Sequence, residues 1–241
     1  LNWDLIVASK GLDRVYSFFG TEENGFNSSL QIGASQVNGV EEVTSADFDD
    51  DGDIDIATVS VFDSRVMLHI NNGNGTSFTS NTTTIISTAY STPRSIKSAD
   101  IDLDGDVDVV VAYNAGVIAW FENLGDGLFN STPNAFPTGL GSIGLLLDVA
   151  DIDNDGDIDI LSGSVDQNRP IFYTNNGDGS FDETPKVVGA SSVIPTKVFA
   201  VDLNGDNFPE ILTLNSSNNT IAWYTNSGGT SFSTNPVIYQ L

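Results

Sequence analysis

Acidic residues fall on alternate positions in three short stretches of this chain, and a fourth stretch keeps part of the pattern. Residues 47–55 read DFDDDGDID, 100–108 DIDLDGDVD, 151–159 DIDNDGDID and 202–210 DLNGDNFPE. Carboxylates crowded this closely repel one another and gain nothing in return unless a cation lies among them. Calcium takes six to eight oxygen ligands at about 2.3–2.6 Å and accepts side-chain and carbonyl oxygens together. Oxygen-bearing side chains at positions 1, 3 and 5, a turn at 6, a backbone carbonyl at 7 and an acid at 9 meet that demand. One such stretch would read equally well as a solvated acidic turn. Four of them, beginning at 47, 100, 151 and 202 and so spaced by 53, 51 and 51, mark a structural repeat. A period near 50 residues is the length of a propeller blade.

The bulk composition bounds the rest. The chain has 241 residues, enough for one large all-β domain, and its 33 acids against 8 bases leave a net charge of −25. More than half of those acids lie in the four stretches. A surface of that sign excludes nucleic acid and anionic membranes as partners, because both require basic patches. With no Cys there is neither a disulfide framework nor a thiolate metal site. Calcium can staple the fold instead, which favours a compartment rich in that ion, on the cell surface or outside the cell. No run of 18 apolar residues is present, so no helical membrane insertion is expected. The opening LNWDLIVASK has no basic start and no cleavage pattern. Processing or a chain boundary is therefore expected before Leu1.

The elements that must carry these stretches are short and β-rich. A run precedes each one (Val43–Phe48, Leu146–Ile152) and another follows it: Ile54–Val59, Val107–Ala112, Ile158–Ser162 and Ile211–Leu214. Then come Arg65–Ile70, Val117–Phe121, Ile171–Thr174 and Thr220–Tyr224, each leading into a Gly/Asn turn that ends in Phe, as in NNGDGSF at 175–181. β-branched and aromatic runs punctuated in this way, without helical periodicity, predict an all-β chain with four strands per unit, which is a β-propeller. The expected blades are about 1–36, 37–88, 89–139, 140–191 and 192–241, forming one domain. Asp4–Ala8 matches the strand after a loop, so the first blade is expected to lack its innermost strand. Such an edge invites a donated strand or self-assembly.

Taken together, the D-x-[DN]-x-D-G-x-x-D stretches and the segments IAWFENLGDGLF (118–129) and IAWYTNSGGTSF (221–232) resemble FG-GAP repeats. The likeness is to integrin α-subunit propellers and, more closely, to the VCBS-type repeats of secreted proteins. The resemblance covers essentially the whole chain. It implies a calcium-binding, non-enzymatic propeller with about four ions, serving adhesion, sugar binding or scaffolding. Carried over by position, the side-chain ligands are Asp47, Asp49, Asp51 and Asp55, with the carbonyl of Asp53. In the second loop they are Asp100, Asp102, Asp104 and Asp108, with Asp106; in the third, Asp151, Asp153, Asp155 and Asp159, with Asp157. The fourth loop departs from the pattern, offering Asp202, Asn204, Asp206 and Glu210, with Phe208, and placing Asn207 where Gly is expected. With fewer carboxylates it is expected to be the weakest site. An EF-hand is excluded: its twelfth position requires Glu, and here stand Thr58, Val111, Ser162 and Thr213. The nine-residue G-G-x-G-x-D period of RTX repeats is absent as well.

Other chemistry finds little support. His69 is the one histidine and aligns with Phe121, Tyr173 and Tyr224, so it reads as a packing residue, and no Ser-His-Asp or Cys-His machinery is available. The acids outside the loops, Glu22, Glu23, Glu41, Glu42 and Glu183, are expected in turns. Trp120 and Trp223 hold equivalent repeat positions, which favours packing between blades over a sugar platform. N-x-[ST] sequons occur at Asn27, Asn74, Asn81, Asn130, Asn215 and Asn218. The expected function is a binding or structural module with a protein or glycan ligand at the cell surface or in extracellular matrix. Its rivals are a lectin and a non-catalytic accessory domain of a polysaccharide-degrading enzyme.

Overall fold

The computed structural model describes residues 4–21, 25–32, 38–73, 78, 84–114, 116–137, 143–164, 168–182, 184–189, 195–234 and 236–240. Trp3, Glu22, Glu23, Glu183, Asn74 and Asn81 lie outside these residues. Five sheets follow one another along the chain, each a meander in which successive strands pair. The first holds β1 (Leu5–Ser9), β2 (Arg14–Gly20) and β3 (Phe26–Ile32), and the second β4 (Val40–Ala46), β5 (Asp55–Ser60), β6 (Arg65–His69) and β7 (Thr84–Ser87). The third holds β8 (Pro93–Ala99), β9 (Asp108–Tyr113), β10 (Val117–Phe121) and β11 (Asn134–Pro137), and the fourth β12 (Ile143–Ala150), β13 (Asp159–Ser164), β14 (Arg169–Tyr173) and β15 (Lys186–Val187). The fifth holds β16 (Lys197–Val201), β17 (Glu210–Asn215), β18 (Thr220–Tyr224) and β19 (Val237–Gln240). As expected, the first sheet has three strands among the described residues, and β1 stands at its edge. Among the described residues no helix is long and apolar enough to cross a membrane.

The chain divides into two compact units, one of Leu1–Ser98, Asp106–Val109 and Phe121–Pro133, the other of Ala99–Gly105, Val110–Trp120 and Asn134–Leu241. In the first unit, Val15 and Ile32 pack with Val40, Ile56 and Met67, all buried. In the second, Ile101, Val110, Ile118 and Trp120 meet Leu147, Ile160, Ile171 and Tyr173. A further cluster joins Leu161 and Phe172 to Val198, Ile211 and Tyr224. Each large apolar side chain buried in this way contributes about 1.5–3 kcal/mol. Every residue of β5 and β9 is buried, which is why these strands read as continuous DIATVS and DVVVAY rather than as an alternation.

Glu41 and Glu42 correct the sequence reading: they lie in β4, not in a turn. Glu41 pairs with Lys10 at 2.6 Å and Arg94 at 3.4 Å. Glu42 accepts the Ile96 N–H at 2.9 Å and the Ser95 hydroxyl, tying β4 to β8. Asp148 of β12 does the same for β16 by accepting the Ala200 N–H at 2.9 Å. Acids on these inner strands therefore serve as links between sheets.

His69 is buried, with its Nε2 3.1 Å from the Thr58 hydroxyl, and burial pushes its pKa down to about 4 from the ordinary 6.5. The folded state holds it neutral while the unfolded chain binds a proton below about 6.5. Its contribution to stability is therefore complete above that pH and declines as the pH falls toward 4. Chemical unfolding of the parent and of His69→Phe at pH 7 and pH 4.5 should show the gap between them shifting by roughly 2–3 kcal/mol. A gap independent of pH would mean that the imidazole is not held neutral.

Candidate metal centre

Each loop is shaped by its own backbone before any ion is considered. Position 4 has a left-handed backbone in the first three loops (Asp50, φ 60°; Leu103, φ 62°; Asn154, φ 60°), as does the glycine at position 6. The backbone N–H of that glycine then points back to the first acid: Gly52 to Asp47 at 3.0 Å, Gly105 to Asp100 at 3.1 Å and Gly156 to Asp151 at 3.0 Å. Position 5 closes a second turn, with Asp51 and Asp155 accepting the N–H groups of Asp53 and Asp157 at 2.9 and 3.0 Å. The acid at position 9 is pinned from two sides. Asp55 accepts the N–H of Phe48 at 3.0 Å and that of Asn71 at 2.7 Å, and Asp159 accepts those of Ile152 at 2.9 Å and Asn175 at 3.0 Å. Pinned there, it becomes the first residue of the following strand, one residue later than the predicted run begins in the first three loops and one earlier, at Glu210, in the fourth.

Three constellations result. Carboxylate oxygens of Asp47, Asp49 and Asp55 lie within 4.8 Å of one another, as do those of Asp100, Asp102 and Asp108 and those of Asp151, Asp153 and Asp159. These are positions 1, 3 and 9. Asp51, Asp104 and Asp155 at position 5 lie outside this set. The Asp53 and Asp157 side chains point away, against the hairpin glycines: a Cβ on Gly73 or Gly177 would stand 2.9 or 2.8 Å from them. Their predicted contribution is in any case the carbonyl.

The electrostatics call for a cation. Burial pushes the Asp55 carboxyl up to about 6 and the Asp159 carboxyl up to about 7. Asp49 and Asp153 are raised as well, first by burial and then by the neighbouring Asp51 and Asp155 charges. Buried oxygens of Asp47, Asp49, Asp100 and Asp153 meet no hydrogen-bond donor among the described residues. An unpartnered buried carboxylate oxygen is costly, and a hard divalent ion with oxygen preference is the group that would satisfy it. The donor set therefore fits calcium.

The fourth loop is built differently. Its glycine has moved to position 4 (Gly205, φ 81°) and Asn207 takes the left-handed turn at position 6 (φ 71°). Asp202 uses both oxygens on backbone N–H groups, Gly205 at 2.7 Å and Asn207 at 2.9 Å, which lower its pKa. Asn204 Oδ1 accepts the Asp206 N–H at 2.8 Å, which aims its amide NH₂ at Asp206 (3.0 Å) and Glu210 (2.8 Å). An amide thus stands between the two acids that an ion would bridge. In a calcium titration this loop should fill last, and Asn204→Asp should tighten it by about tenfold or more, since ligand charge tunes affinity. Heats or anomalous peaks showing the fourth loop fullest in the parent chain would reverse that ranking.

Sequence reasoning missed the residue that links successive loops. The hairpin Asn sends its side-chain amide to the position-2 carbonyl of the preceding loop: Asn123 to Phe48 at 2.9 Å, Asn175 to Ile101 at 2.7 Å and Asn226 to Ile152 at 3.0 Å. The same amides reach Val107, Ile158 and Pro209 in their own repeats. The N–H of Asn123 also holds Asp108 at 2.8 Å. A hairpin Asn repeated with every loop was the available signal. Asp4 was missed too: it accepts the Gly20 N–H at 2.9 Å, as the position-9 acids accept theirs. Trp120 is buried and donates to the Gly179 carbonyl at 3.1 Å, so it packs between sheets. Of the sequons, Asn215 is buried and Asn218 exposed.

Five consecutive meander sheets of one repeat, with acidic loops between strands, define a β-propeller of about five blades. Solved structures agree on the fold. A crystal structure of BBS1N in complex with ARL6DN, soaked with lead, matches all of this chain with a TM-score of 0.63 at 12% identity. A mercury-soaked crystal of the same complex matches 97% of it with a TM-score of 0.55 at 13% identity. The chain spans 64% of the length of each of those structures. The FG-GAP-like repeat matches residues 47–111, 100–162 and 151–213, each window running from one acidic loop through the strand that follows the next. The chain belongs to the FG-GAP-like repeat family. No curated protein sequence matches it.

Proposed function

We propose that this chain is a calcium-stabilised, non-catalytic binding module that works outside the cell or on its surface and engages a protein partner. The carrying observation is the set of buried carboxylate oxygens that converge without a donor in three successive loops. Ions there would lock the loops and hence the strands that leave them. Several features support a binding rather than a catalytic role. The one histidine is buried with a depressed pKa, and the clustered acids are committed to the loops. That a propeller of this fold was solved in complex with another protein supports a protein partner. Extracellular modules bind calcium at about 10⁻⁴–10⁻³ M, far weaker than cytosolic buffers.

Titration calorimetry with calcium and with magnesium tests the proposal. The expected result is three calcium sites in the range from about 10⁻⁵ to 10⁻³ M, with magnesium much weaker because it demands a tighter octahedron. Dissociation constants near 10⁻⁸ M would point to a cytosolic setting. Absence of heat would remove the metal altogether.

A further inference from the structure

One hairpin of the first unit carries leucines where its sisters carry polar side chains. In the hairpin 123–129 the Leu124 N–H donates to the Leu128 carbonyl at 2.7 Å. The same bond joins Asn176 to Ser180 at 2.9 Å and Ser227 to Ser231 at 2.7 Å, so the three backbones are equivalent here. These positions face water in every case: Asn176, Ser180, Ser227 and Ser231 are exposed, and Leu124 and Leu128 are 58% and 63% exposed. Asn176 also donates its side-chain amide to the Ser180 carbonyl and hydroxyl, each at 3.1 Å. Polar pairs therefore serve this turn, and the fold does not require leucine. A lone exposed leucine is ordinary, but a cross-strand pair of them at a hairpin tip forms an apolar patch that calls for a reason.

The patch is held in place, and its surroundings are acidic. Asn123, at the base of the hairpin, donates its N–H to Asp108 at 2.8 Å and its amide to the Phe48 carbonyl at 2.9 Å. Phe129 closes the hairpin by packing on Phe48 with ring centres 6.0 Å apart. A Cβ on Gly127 would lie 3.4 Å from Asp49, Leu68 and Ile70. The leucines thus stand beside the first acidic loop. Asp126 lies between them in the turn, exposed and with a left-handed backbone (φ 53°), and Asp50 of that loop is exposed too. Neither belongs to the carboxylates that converge at positions 1, 3 and 9, so an ion held there leaves both available. No Lys or Arg occurs between Arg14 and Arg65, where the loop lies, or between Lys97 and Arg169, where the hairpin lies.

We propose that the Leu124–Leu128 pair and its acidic rim form a docking site for a protein segment that presents an apolar side chain between lysines or arginines. This rests on the reading of the chain as a module that engages protein, and it gives that partner its chemistry. The leucines supply an apolar centre, and Asp50 and Asp126 supply the charges that select and orient a basic partner. The same rim repels an anionic bilayer, and a second copy of this chain would bring like charges against it.

A displayed library of random peptides, selected on the calcium-loaded chain, tests the proposal. The expected binders carry apolar residues flanked by Lys or Arg. Each should lose about tenfold or more in affinity for Leu124→Asn/Leu128→Ser, which installs the polar pair found at 176 and 180. Asp50→Asn/Asp126→Asn should weaken the same peptides severalfold and flatten their salt dependence. Selected peptides that bind the leucine variant as tightly as the parent would overturn the inference and leave the protein-binding reading standing. A selection that yields no binder would overturn both. The leucine variant should melt within about 2 °C of the parent; a larger drop would overturn the inference, because the leucines would then be part of the fold. Phosphatidylserine vesicles that pellet the parent in calcium but not the leucine variant would overturn it in favour of a bilayer. A parent dimer that the leucine variant dissolves would do so in favour of a second copy.

Discussion

Chelation of calcium by EDTA is expected to lower the melting temperature by roughly 15–30 °C. An ion that binds only the folded chain stabilises it by about 2.7 kcal/mol per site at a hundred times its dissociation constant. Three loops therefore contribute about 8 kcal/mol, and in a domain of this size each kcal/mol is worth about 2–4 °C. The metal-free protein should also respond to pH in the opposite sense from the loaded one. Asp55 and Asp159 are raised by burial to about 6 and about 7 when no ion is present. A carboxyl whose folded pKa exceeds its unfolded one stabilises fully below about 3.9 and loses that contribution as the pH rises through the folded value. In EDTA, stability should thus fall between about pH 4 and 7, whereas with saturating calcium it should rise over the same range. Scanning calorimetry at several pH values, with and without chelator, checks both. An unchanged melting temperature in EDTA would contradict the assignment of these loops to a metal.

Asn175→Asp is expected to be among the most damaging single substitutions, at about 3–5 kcal/mol. The side chain keeps its shape, but the amide that donates to Ile101 at 2.7 Å and Ile158 at 3.1 Å is replaced by oxygen. The buried Ile101 carbonyl and the half-buried Ile158 carbonyl lose their donor and face a negative charge, and Asp159 is held by the backbone N–H of this same residue. Asn175→Ala should cost less, because it removes the bonds without adding the charge. The exposed neighbour gives the control, with Asn176→Ala within about 0.5 kcal/mol. Denaturant unfolding in saturating calcium would rank the three. Equal losses for Asn175→Asp and Asn175→Ala would mean that the charge is relieved, by protonation or by movement of the hairpin.

Much of this was legible because the loops announce their own geometry. Asp47, Asp49 and Asp55 converge only if the chain turns at Gly52, and the period of the repeat fixes which strands flank it. The departures came from interactions at long sequence separation. Nothing local distinguishes Glu42 in a strand from Glu42 in a turn; its partner Ile96 is 54 residues away. Nor does local pattern reveal that Asn123 reaches Phe48, 75 residues earlier. The left-handed backbone at position 4 was hidden by Leu103, a residue that ordinarily avoids that conformation and is held there by the loop. Asn204 was legible as a ligand by type, but the direction of its amide depends on the Asp206 N–H, which only the folded loop supplies.

The hairpin asparagines give the chain a direction. Each loop is closed at its acid by a backbone N–H from its own repeat, but its position-2 carbonyl is capped by an amide from the repeat that follows. A loop therefore reaches its final shape only after the next hairpin has been synthesised, some 74 residues later in two of the three cases. Removing one hairpin would thus uncap the loop of the preceding repeat as well as release the acid of its own.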